Sequence, residues 1–96
     1  YHEKLQDLFL RFRRDLGIRG LPVLVGQLSR FPGETWSEGK CRVDSAQKKV
    51  VREMPPAAFV TSEGLTSNPD GVHFNADSQR EFGRRFFESA LCSRQQ

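Results

Sequence analysis

The 96-residue sequence predicts an α/β fold with parallel strands. Two short apolar runs, Leu21-Pro22-Val23-Leu24-Val25-Gly26-Gln27-Leu28 and Ala57-Ala58-Phe59-Val60-Thr61, show no polar alternation. Strands of that kind are covered on both faces, as in parallel sheets. Segments of helical period surround them, giving the order α-β-α-β-loop-α. About 28 residues separate the two runs, ample for the right-handed crossover that parallel pairing requires.

Residues 3–16 carry Leu5, Leu8, Phe9, Phe12 and Leu16 at three- and four-residue spacing. They predict an amphipathic helix with Arg11, Arg13 and Arg14 towards its other side. Gly17 and Gly20 end it. Pro22 is tolerable at the start of the strand that follows. Residues 29–40 form a loop leaving the carboxyl end of that strand, where open α/β sheets bind ligands. Phe31 and Trp36 in this loop either wall a pocket or cap the core. A second helix covers 42–54, with Val43, Ala46, Val50 and Met54 on one side, and Pro55-Pro56 stops it. After the second strand, Pro69 and Gly71 mark a tight loop at Asn68-Pro69-Asp70-Gly71-Val72-His73-Phe74. Asn75 is a good N-cap for a last helix over 76–91, whose apolar residues are Phe82, Phe86, Phe87, Ala90 and Leu91. Gly83 costs that helix stability and is expected to permit close packing on the sheet. Two apolar strands alone expose unpaired edges, so further strands are expected, from missing residues of the same protein or from a partner chain.

A chain of this length is one small domain or part of a larger one. Alone it would bury only about 60–65% of its unfolded surface. Tyr1, in place of an initiating Met, is expected of a trimmed, processed or partial chain. No apolar run approaches the roughly 20 residues of a membrane span, so no membrane partner is implied. Fifteen basic residues against 12 acidic ones give a net charge of +3. The signs interleave, as in Arg13-Arg14-Asp15, which marks solvated helix faces. A nucleic-acid surface would be more one-signed, so that partner is not implied either. Cys41 and Cys92 lack metal-site spacing. A disulfide between them stays open, as does the compartment on cysteine evidence.

The chemistry concentrates in the 68–74 loop. Asp70 and His73 lie three apart, after a buried strand and before a helix. In a serine hydrolase a His takes the proton of the nucleophile, and a carboxylate holds its ring in the right tautomer. The bland reading is that Asp70 makes only an Asx-turn. No nucleophile is evident. Ser29, in Gly26-Gln27-Leu28-Ser29, and Cys41 are weak local alternatives, since nothing near Cys41 would depress its pKa. Ser62 reads as a loop hydrogen-bonder and His2 as a solvent-facing residue at a frayed end. Gln27, Trp36 and Gln47 are candidates to line a substrate pocket, although Gln27 and Gln47 suit structural hydrogen bonding equally well.

Gly64-Leu65, then Asp70-Gly71-Val72-His73-Phe74, then Glu81-Phe82-Gly83-Arg84-Arg85 resemble the C-terminal end of an SGNH hydrolase. The subgroup is that of acetylxylan esterases and sialate O-acetylesterases, carbohydrate esterase family six and its relatives. Leu21 to Leu28 and Val43…Ala46-Gln47 match the same pattern in the same order, so the resemblance runs from about residue 4 to residue 91. It implies a three-layer α/β/α flavodoxin-like fold, of which this chain holds the C-terminal portion. It implies His73 as general base and Asp70 as its orienting partner. It implies acyl transfer through a serine on an O-acetylated carbohydrate, with no metal or other cofactor. The family's serine lies in a Gly-Gln-Ser-Asn-like block that is not present here, and Leu28 stands in the serine's slot of the superficially similar Gly26-Gln27-Leu28-Ser29. The resemblance favours a secreted or periplasmic setting.

Two readings follow. The chain is part of a serine carbohydrate esterase, inactive alone and completed by an N-terminal portion or a complementary chain. Alternatively it is a non-catalytic carbohydrate-binding or structural module derived from such an esterase.

Overall fold

The computed structural model describes residues 1–93. The order is α1 (His2–Asp15), β1 (Val23–Gly26), α2 (Glu38–Glu53), β2 (Ala57–Val60) and α3 (Ala76–Ser93). β1 and β2 pair in parallel, with Val23 opposite Ala57 and Gly26 opposite Val60. The α/β class and the parallel pairing therefore hold, although both strands are shorter than the apolar runs that announced them.

Successive strand residues point to opposite faces of a sheet. Val23 and Val25 pack with Phe9 of α1 and with Val50 of α2, next to Ala57. An added Cβ on Gly26 would meet Phe82 and Phe86 of α3. One face of the sheet thus carries α1 and α2, and the other carries α3. Phe9 and Val50 are almost wholly buried.

Three corrections to the sequence reading have clear causes. Arg13 is not on the outer side of α1. It is buried, and its guanidinium donates to the carbonyls of Leu21, Met54 and Pro56 at 3.1, 2.9 and 2.9 Å. Those carbonyls end the chain segments leading into β1 and β2, and a five-donor fork can serve all three. The helix is rotated accordingly, so Leu8, Phe12 and Leu16 stay about half exposed. Second, α2 begins at Glu38 rather than at 42. Ser37 caps it, its Oγ accepting from Lys40 N at 3.2 Å. The first turn carries no apolar residue, so periodicity could not reveal it. Third, Gly83 faces open space, and the close approach to α3 is made by Gly26 instead. Phe87 and Leu91 of α3 are likewise exposed.

Two glycine substitutions separate these roles. Gly26→Ala would place a Cβ 2.6 Å from Phe86 Cζ, and the overpacking should cost about 1–3 kcal/mol. Gly83→Ala should stabilise α3 by up to about 1 kcal/mol, because nothing obstructs the methyl. Urea unfolding midpoints moving in the opposite directions would contradict this packing. Arg13→Met should cost about 2–4 kcal/mol in the same measurement, since it leaves three part-buried carbonyls without their donor.

Candidate active site

The loop after β2 is closed at its base. Ser67 and Phe74 form an antiparallel bridge, and Asn68 N donates to His73 O at 2.8 Å. Gly71 N donates to Asn68 O at 3.0 Å, and Gly71 takes φ +70°, a conformation that a side chain resists. Within this turn Asp70 uses both oxygens. Oδ1 accepts from the amides of Val72 and His73 at 2.9 and 3.1 Å. Oδ2 lies 2.7 Å from His73 Nδ1. The Asx-turn and the His contact are therefore made by one carboxylate, not by alternatives.

The hydrogen bond from the His73 side chain, followed by the two amides, lowers the Asp70 carboxyl from its ordinary 3.8 to about 2. An ionised carboxylate only accepts, so Nδ1 carries the ring proton when the imidazole is neutral. Nε2 then holds a lone pair. The His73 side chain is 74% exposed and that of Asp70 47%. Among the described residues Nε2 makes no hydrogen bond.

Packing fixes this turn to the sheet. Phe74, next to His73, meets Phe31 and Phe82 edge-on, each at 5.3 Å between ring centroids. Phe82 in turn meets Phe86 at 5.0 Å. On the other side of the turn, Asn75 Oδ1 caps α3 by accepting from Ser78 N at 2.8 Å. Asn75 Nδ2 donates to Thr66 Oγ1 at 2.6 Å. Thr66 N donates to the buried Ser78 Oγ at 2.8 Å.

The other candidates fall in different places. Gln27 braces the carboxyl ends of the strands: Nε2 donates to Asp44 Oδ1 at 3.0 Å, while Oε1 accepts from Ser62 N at 2.8 Å and Thr61 Oγ1 at 3.0 Å. It also borders a cleft of about 640 Å³. Trp36 is half-buried, with Nε1 donating to Ser29 O at 2.8 Å. The structure does not bring Gln47 to the Asp70–His73 pair. It bonds the hydroxyl of Tyr1 at 3.3 Å, in the seam between α1 and α2. His2, expected in solvent, instead contacts Glu53 Oε1 at 2.6 Å. Phe31 is buried against Phe74, so it serves the core.

Neither of the local nucleophile alternatives, Ser29 and Cys41, bonds to His73, whose side chain bonds Asp70. Ser62 is buried and donates its hydroxyl to Leu28 O at 2.7 Å. Cys41 and Cys92 are exposed free thiols. Among the described residues no three His, Cys, Asp or Glu side chains gather as a metal site. What the sequence did not show is the cleft beside Gln27 and the stacking of Arg30 on Trp36 at 4.8 Å. Those contacts join residues whose types alone announce nothing.

A family model described as carbohydrate esterase, sialic acid-specific acetylesterase, matches residues 1–92. Among curated proteins no match is found. The family match covers both strands, all but the last residue of α3 and the whole of the Asp70–His73 turn, so the chain belongs to the carbohydrate esterases of the sialic acid-specific acetylesterase family.

Proposed function

We propose that this chain supplies the acid-base half of a serine O-acetylesterase acting on acetylated carbohydrate. The observation that carries the reading is the 2.7 Å contact between Asp70 Oδ2 and His73 Nδ1, with Nε2 unbonded at the carboxyl end of a parallel sheet. The nucleophile is a serine outside these 96 residues, contributed by another part of the protein or by a complementary chain.

The chemistry follows from that geometry. The serine Oγ attacks the acetyl carbonyl while Nε2 takes its proton. The imidazolium so formed is stabilised by Asp70 across Nδ1–H. Nε2 then gives the proton to the departing sugar oxygen, leaving an acetyl-enzyme. Water attacks that ester, Nε2 accepts its proton and returns it to the serine, and acetate leaves. Asp70 stays ionised throughout.

In the complete esterase, His73→Ala should abolish acetate release. Asp70→Asn should lower kcat by about 10³–10⁴-fold, because the ring is then free to take the wrong tautomer. An Asp70→Asn enzyme that cleaves p-nitrophenyl acetate at the parental rate would remove Asp70 from the mechanism.

Only the neutral ring of His73 can accept the proton from serine. Asp70 adds no limb to the pH profile between pH 4 and 8, since its carboxyl is lowered to about 2. Because that value lies below the unfolded one, its contribution to the stability of the turn is present above about pH 4 and is lost as pH falls towards 2.

A further inference from the structure

The cleft beside Gln27 lies at the same end of the sheet as His73. Arg30, Lys48, Phe59, Thr61 and Glu63 line it together with Gln27. Its volume of about 640 Å³ falls within the roughly 300–1,000 Å³ usual for small-molecule sites.

Its two cations are not equivalent. Lys48 Nζ is paired with Asp44 Oδ2 at 2.9 Å and stands 5.4 Å from the centroid of Phe59. Arg30 lies 4.8 Å over Trp36, whose own ring is fixed by its bond to Ser29 O. The acidic neighbour that feels the charge of Arg30 is Glu34, and Glu34 is already paired with Lys40 at 3.0 Å. Among the described residues no carboxylate is in ion-pair contact with Arg30. A planar guanidinium held on an aromatic face, with its forked donors uncommitted, suits a bidentate carboxylate.

The link to the catalytic turn runs through one aromatic contact. Arg30 precedes Phe31, His73 precedes Phe74, and the rings of Phe31 and Phe74 touch. Each functional side chain is thus one residue from the same aromatic contact.

We infer that Arg30 is a specificity-determining residue that receives the carboxylate of an O-acetylated acidic sugar of the sialic acid type, with Trp36 holding the guanidinium in place. This rests on the esterase reading above, and it separates acidic from neutral sugars within that reading. Glu63 in the same cleft repels a carboxylate, so the acid is confined to the Arg30 wall. A neutral acetylated sugar gains nothing from Arg30 that water does not offer.

The test uses the complete esterase with three substrates: O-acetyl sialic acid, its carboxyl methyl ester, and p-nitrophenyl acetate. Arg30→Ala should raise KM for the free acid by about 10–100-fold, the loss of one charge-assisted contact. Its kcat, and its rates on the methyl ester and p-nitrophenyl acetate, should stay parental, which also shows that the variant is folded. Arg30→Lys should recover only part of the loss, since a point charge lacks the fork. Equal KM for acid and methyl ester in the parent enzyme would overturn the assignment, as would equal losses on both substrates in Arg30→Ala. Equilibrium binding of deacetylated sialic acid against its methyl ester decides the same question without turnover. It therefore distinguishes failure at Arg30 from failure of His73 as the base.

Discussion

The structure depends on a line of four aromatic rings. Phe31, Phe74, Phe82 and Phe86 touch in sequence, and the last two close over Gly26 in β1. Each edge-on pair adds about 0.5–1.5 kcal/mol beyond simple burial. The line joins two regions that are distant in the chain: β1 with the loop after it, and the His73 turn with α3. A side chain at position 26 would push the rings away, so a glycine in an apolar strand, unfavourable by propensity, is where the fold needs it. Through Phe74 the position of the His73 backbone is set by the sheet rather than by the mobility of an exposed turn.

A second constraint is polar. With few fully buried apolar side chains, the described residues fasten their segment ends by hydrogen bonds that are mostly part-buried. Arg13 gathers three carbonyls at the amino ends of the strands. Gln27 gathers Thr61, Ser62 and Asp44 at the carboxyl ends. Both are amide or guanidinium groups with several donors or acceptors, and leaving a buried partner such as Ser62 or Asp44 unserved costs more than the bond contributes. The two ends of the short parallel pair are thus fixed independently of its ladder.

Much of this was legible in the chain, and what was not has a common cause. Unalternating apolar runs betrayed both strands, because burial on two faces removes the reason for polar residues. Asp70-Gly71-Val72-His73 was legible because a turn needs Gly71 at positive φ and brings residues three apart together. Arg13 was misplaced because its partners sit at 21, 54 and 56, and a helical period scores an arginine as outward. Gly83 and Gly26 exchanged roles for the same reason: which glycine faces a ring is a property of register between strand and helix. The Gln27 brace and the Arg30–Trp36 stack also join partners that share no local pattern. Local rules found the Asp70–His73 pair; only three-dimensional contact found what positions it.

The environment of that pair sets what it can do as it stands. With His73 74% and Asp70 47% exposed at the side chain, water screens the field of the carboxylate at the ring. Such a contact still fixes the tautomer, because a 2.7 Å hydrogen bond is directional and the turn holds the carboxylate with two further amides. It stabilises a developing imidazolium only weakly, since that term grows as the local dielectric falls. Orientation is therefore built into the turn, whereas electrostatic strength has to come with whatever covers Nε2. In the proposed esterase the serine-bearing portion would do both things at once, bringing the hydroxyl and excluding the water. The two contributions separate along the same line as the residues: one turn supplies the geometry, and the surface that meets the ring supplies the field.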